Sequence, residues 1–160
     1  MKTLIVYYSL SGTTRAVATA LAKELGADIE EIRCSRYWPG IWGVLKAGYD
    51  SWNGNLPPIE PLGYAPSRYE LVVVGGPIWA FHPATPVRAF LQQEGSQLSS
   101  MAFLLTHGGS AAERSFHEME QLAGRAPKGC LVVREKDVKE GKFGAAIASF
   151  ARGLEKSMAA

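Results

Sequence analysis

Cysteine, histidine and concentrated charge are all scarce in this sequence. Its 17 lysines and arginines nearly balance 15 aspartates and glutamates. No basic block exceeds two residues, so the charged stripe that a nucleic-acid partner requires is missing. Two cysteines, Cys34 and Cys130, cannot form a disulfide framework and fit a reducing compartment. The histidines His82, His107 and His117 have no metal-ligand spacing with either cysteine. No apolar run approaches the ~20 residues of a membrane span, and the N-terminal run is too short for a signal-peptide core. Internal repeats and low-complexity tracts are also lacking. The expectation is a cytoplasmic protein with no membrane span and no nucleic-acid partner.

What is present is apolar material. At 160 residues and 47% hydrophobic, the chain has the size of one domain (1–160) with enough side chains for a core. The apolar run Leu4–Tyr8 suits a strand buried on both faces. It breaks into Ser9-Leu10-Ser11-Gly12-Thr13-Thr14, and a helical pattern follows with Val17, Ala20, Leu21 and Leu25 on one face and Gly26 as its stop. Strand, hydroxyl-rich turn and helix N-terminus together form a phosphate-holding layout, because free first-turn amides and the helix dipole both favour an anion. Arg15 either adds charge there or is a solvated helix residue.

Asp28–Arg33 reads as a short strand near a sheet edge. Ser35–Arg68 is rich in tryptophan, tyrosine, proline and glycine, and predicts at most a helical turn or two over Ile41–Asp50. Its aromatics either pack over the sheet or wall a pocket or subunit interface, the latter making a homodimer an expectation. Tyr69–Gly75 is the clearest strand and ends in Gly76-Pro77-Ile78-Trp79-Ala80-Phe81-His82. Thr85 is the expected cap of the next helix, with Pro86 at its first position. Met101–Thr106 is a fourth strand running into His107-Gly108-Gly109-Ser110, followed by a helix to about Leu122. Cys130–Val133 is a fifth strand. Phe143, Ile147, Phe150, Leu154 and Met158 mark a C-terminal amphipathic helix. The alternation predicts an α/β fold: a doubly wound five-stranded parallel sheet in the order 2-1-3-4-5, with helices on both faces. Ligands of such sheets bind at the carboxyl ends of strands one, three and four, where the three suggestive loops fall.

Several chemistries of similar sheets fail at their sites. There is no Gly-x4-Gly-Lys for a Walker loop and no three-glycine dinucleotide fingerprint. Neither cysteine begins Cys-x5-Arg, Tyr8 and Ser9 stand where a receiver domain needs acids, and Gly108-Gly109-Ser110 lacks the last glycine of an esterase elbow. Both cysteines are expected to be buried or inert.

Ile5, Val6, Tyr7, Ser9, Gly12, Thr14, Ala18 and Leu21 match, position by position, a pattern that resembles the flavodoxin signature. Gly-Gly-Pro-x-Trp at 75–79 and Thr-x-Gly-Gly at 106–109 add to the likeness, which covers the three loops and the strand order. The resemblance to the flavodoxin-like family implies FMN as cofactor. Ser9, Leu10, Ser11, Gly12, Thr13 and Thr14 would then take the phosphate. Pro77, Ile78, Trp79, Ala80 and Phe81 would border the ring, with Trp79 as first stacking candidate and Phe81 second. Thr106, His107, Gly108 and Gly109 would line the pyrimidine edge. The sequence departs from the electron-carrier flavodoxins: no tyrosine lies between Thr106 and Arg114, and the chain is not acidic. The implied activity is an FMN-dependent oxidoreductase passing electrons from NAD(P)H to a quinone or similar small acceptor, with His82 as candidate catalytic residue. The alternative is a one-electron carrier that docks to redox partner proteins.

Overall fold

The computed structural model describes residues 1–109 and 112–160; Ser110, placed by the sequence in the third loop, lies outside them. The elements are β1 (Thr3–Tyr7), α1 (Thr13–Leu25), β2 (Asp28–Glu31), α2 (Ile41–Asn53), β3 (Leu71–Trp79), β4 (His82–Pro83), α3 (Thr85–Glu94), β5 (Met101–His107), α4 (Glu113–Ala123), β6 (Cys130–Arg134), α5 (Glu135–Lys139) and α6 (Gly144–Ala159). The main sheet is parallel, in the order β2-β1-β3-β5-β6. With the two-residue β4 set aside, that is the expected 2-1-3-4-5 winding.

Alternation along the strands divides the core. Leu4, Val6, Val72, Val74, Phe103 and Leu105 face α3 and α4, meeting Val87, Phe90, Leu91, Met119 and Ala123. Ile5, Tyr7, Leu71, Val73, Ala102, Leu104, Leu131 and Val133 face the other way, against Val17, Ala18 and Leu21 of α1 and Ile147, Ala151 and Leu154 of α6. Strands buried on both faces must be apolar at every position, which explains their continuous β-branched and leucine runs. Each fully buried aliphatic side chain stabilises the sheet by ~1.5–3 kcal/mol.

Three local expectations change. The segment read as a helical turn or two is a 13-residue helix, α2. One of its glycines explains why: a Cβ on Gly43 would overlap the Trp38 carbonyl oxygen, so close backbone packing outweighs weak helix propensity. Thr85 is the first residue of α3 rather than its cap, a place held by Ala84. Its buried hydroxyl shares a 2.7 Å hydrogen bond with the Tyr37 hydroxyl instead. Third, β3 runs past Gly76 and turns back at Ala80-Phe81 into β4, pairing Trp79 with His82 and Ile78 with Pro83. Ala80 (φ 48) and Phe81 (φ 69) both sit in the left-handed region that a two-residue hairpin turn requires. Residues with side chains adopt it at a cost, and such strain concentrates at sites the surrounding structure holds in place.

Candidate functional site

A cleft of about 330 Å³ opens at the carboxyl ends of β1, β3 and β5. Ser9, Leu10, Ser11, Thr13, Thr14, Pro77, Ile78, Trp79, Ala80, Thr106, His107 and Gly108 line it, so all three loops converge there. The winding direction reverses beside β1, which leaves this crevice open between strand ends.

The first loop is ordered by its own hydroxyls. Ser9 Oγ accepts hydrogen bonds from the Gly12 amide (3.1 Å) and the Arg15 amide (3.3 Å). Gly12 adopts φ 96, a conformation glycine takes without Cβ strain, and so turns the chain into α1. An α-helix leaves its first N–H groups without intrahelical acceptors, and Thr13 and Thr14 open into the cleft at that end. Thr14 Oγ1 also shares a 2.7 Å hydrogen bond with Thr106 Oγ1, tying the first loop to the third. Arg15 is committed elsewhere: its guanidinium forms a two-pronged pair with Glu31, at 2.7 and 3.1 Å.

The second wall is aromatic. The Trp79 ring meets Tyr8 and Tyr37 edge to face, with centroids 5.5 and 5.0 Å away. The Trp79 carbonyl accepts a 2.7 Å hydrogen bond from Ser51 Oγ of α2, and Arg88 reaches the Ser51 carbonyl at 3.1 Å. Behind this wall lies a buried polar cluster. Asp50 accepts hydrogen bonds from Arg36 (2.7 and 3.1 Å), from the Tyr37 hydroxyl (3.0 Å) and from Asn55 (3.2 Å). The Arg36 guanidinium, aided by Asn55 and Tyr37, holds the Asp50 carboxyl down at about 2, despite its burial. Burial pushes the Tyr37 hydroxyl up to about 12. Tyr8 is raised by burial as well, so all these phenols stay protonated donors.

The third loop turns back on itself: the Gly109 amide donates to His107 Nδ1 at 3.0 Å. That contact puts the proton of a neutral His107 on Nε2.

Gly12, Phe81 and Gly109 do not line the cleft, although each adjoins a residue that does. Phe81 is at the hairpin tip with its side chain exposed. His82 is also outside the lining. Its Nδ1 lies 2.6 Å from Glu118 Oε2, and Glu118 also pairs with Arg88 at 2.9 Å. Cys34 is half-buried, and desolvation raises its thiol pKa, which keeps it a poor nucleophile. Cys130 is exposed rather than buried, but partial desolvation and the nearby Glu120 push its thiol up to about 11, so it too is a poor nucleophile. Sequence reading missed Val44, Ala47 and Gly48 of α2, which line the cleft, and Glu135, whose carboxylate stands beside Gly108. Glu135 directly follows β6, so the one available signal was its place at a strand's carboxyl end. Among the described residues, no group of three His, Cys, Asp or Glu could hold a metal, and no helix is long and apolar enough to cross a membrane.

An open parallel α/β sheet with its cleft at the switch point, and a helix N-terminus pointing into that cleft, defines a class of nucleotide- and flavin-type folds. No protein-family model matches the sequence, and neither does any curated protein. Solved structures do match. A flavoprotein from Lactobacillus acidophilus in complex with FMN is 26% identical, with a TM-score of 0.71, over 87% of this chain and 97% of its own. The WrbA-like flavodoxin from Agrobacterium tumefaciens superposes at a TM-score of 0.65 with 14% identity, over 98% of this chain and 96% of its own. An NADH:FMN oxidoreductase reaches a TM-score of 0.59 at 10% identity, over 99% of this chain and 89% of its own. The chain has the flavodoxin-like fold.

Proposed function

We propose that the cleft binds FMN and that the chain is an FMN-dependent oxidoreductase, passing electrons from NAD(P)H to a quinone or similar small acceptor. One observation carries this reading: a hydroxyl-lined helix N-terminus and an apolar, tryptophan-bearing wall meet in a single cleft. The two halves suit the two ends of the ligand. The Ser9–Thr14 loop offers N–H and O–H donors to a phosphate, and no carboxylate from that loop opposes it. Leu10, Val44, Ala47, Pro77, Ile78 and Trp79 offer apolar area to a flat ring, and the volume falls within the ~300–1,000 Å³ of small-molecule sites. The structural likeness to a flavoprotein holding FMN supports the same assignment.

In this reading Ser9 fixes the loop, Ser11, Thr13 and Thr14 donate to the phosphate, and Trp79 flanks the ring. The backbone of 106–109 meets the ring's polar edge, where donors stabilise negative charge. FMN supplies the redox chemistry; the chain supplies orientation and electrostatics. The α2 wall excludes water from one side, and the side of the cleft left open admits a small acceptor. Glu135 is the only carboxylate among the described residues of the lining, which favours a small-molecule acceptor over docking through an acidic rim.

The test is an FMN titration followed by reduction with NADH or NADPH. Retained flavin bands and bleaching by nicotinamide, with reoxidation by a quinone, support the oxidoreductase. Retained flavin without nicotinamide reactivity favours the electron carrier. Loss of FMN on gel filtration at micromolar protein sinks both readings.

A further inference from the structure

Helix α2 lacks a polar side. Gly43, Ala47, Asp50 and Ser51 are buried against the protein. The opposite face carries Ile41 (72% exposed), Trp42 (73%), Val44, Leu45, Tyr49 (67%) and Trp52 (69%). At 3.6 residues per turn these six fall within one arc of roughly 160°. The only charged residues in α2 are Lys46, at the edge of that arc, and Asp50, which is buried and paired with Arg36. A surface helix ordinarily turns polar residues to water, whereas a helix apolar all round is covered on all sides.

We propose that this face is a homodimer interface, in which a second copy of the chain packs its own α2 against it. The size fits. Side chains of this kind present up to ~150–250 Å² each, so the exposed fractions sum to roughly 800 Å², the share one partner contributes to a standard interface. The composition fits as well: tryptophan, tyrosine and aliphatic residues with charge excluded from the centre are the mark of an interface core. A two-fold axis brings the same patch to itself, so an uncharged apolar face complements its own copy without any charge pattern. A membrane surface fits less well, because interfacial helices carry lysine and arginine along a free polar face, and the other face of α2 is inside the protein. Val44 belongs both to this patch and to the cleft lining, so the second copy stands at the mouth of the cleft and narrows it. The inference does not depend on the flavin reading, since association is read on the flavin-free chain.

The experiment is sedimentation velocity on the full chain from about 1 to about 100 µM, alongside Trp42→Glu/Trp52→Glu, with far-UV circular dichroism on both. The expected result is a wild-type dimer in the micromolar range and a folded double variant whose association is weaker by about tenfold or more. Tryptophan emission of the wild type should shift to shorter wavelength over the same concentrations, a readout that needs no variant. A wild type that stays monomeric at the highest concentration overturns the proposal. So does a dimer indifferent to the two substitutions, or a monomer that co-sediments with phosphatidylserine-containing vesicles.

Discussion

The two walls of the cleft are built in opposite ways. The hydroxyl wall is local: a strand ends, Ser9 gathers two amides, Gly12 turns, and α1 begins, all within seven residues of chain. The aromatic wall is held from a distance. Trp79 is fixed by Tyr8, Tyr37 and Ser51, and Tyr37 in turn by Asp50 and Thr85, through partners that lie far apart in sequence. The first kind of wall depends on backbone conformation and the second on a buried polar network. Substitutions should therefore damage them by different routes.

The largest effect is expected at Gly43, where alanine drives a Cβ into the Trp38 carbonyl. Gly43→Ala should destabilise by ~3 kcal/mol, lowering the melting temperature by about 6–12 °C. It should weaken FMN binding too, because α2 carries Val44, Ala47 and Gly48 to the cleft. Thermal unfolding and flavin titration check both parts.

Arg36→Ala should come next, lowering stability near neutral pH, since it strips the main partner from a buried carboxylate. Its pH dependence has a definite sign. Asp50 is held at about 2 in the folded chain, below its ordinary value of 3.8, so its contribution is complete above about pH 4 and is lost as pH falls toward 2. The wild-type advantage over the variant should shrink across that window in acid denaturation; an advantage that grew there would refute the role given to Arg36.

On the hydroxyl wall, Thr14→Val and Thr106→Val should each cost ~1 kcal/mol, but the double variant should cost less than their sum, because each single change strands the same partner. The smallest effect is expected from Glu135→Gln. Removing a carboxylate from the lining should leave stability within ~0.5 kcal/mol. It should tighten binding of the dianionic flavin several-fold at low salt and less at high salt. Equal affinities at low salt would detach Glu135 from the ligand.

The same contrast explains how much of the fold and the cleft was legible in the sequence. The β1–loop–α1 unit, β3, β5 and the strand order were legible because both-face burial and helix termination leave marks on adjacent residues. The hydroxyl wall followed from them. α2 was under-read because Gly43 and Gly48 lower helix propensity, and the Trp38 contact that requires Gly43 is tertiary. The hairpin at Ala80-Phe81 carries none of the Asn-Gly signals of such turns. His82 looked available beside the loop, but Glu118, 36 residues later in the chain, takes it. Glu135 entered the lining through a β5–β6 register that no single-strand pattern announces.

The register of β1 has a bearing on how the chain comes to be folded. Thr3 pairs with Leu71 and Tyr7 with Gly75, while β2 pairs with β1 alone. During synthesis at ~5–20 residues per second, the first strand therefore waits several seconds for its central neighbour. Throughout that interval the apolar first strand lacks its central partner, and toward its end the exposed tryptophans of α2 are added to the unfinished chain. The nascent chain is most exposed to chaperones, and to its own aggregation, before residue 75 emerges.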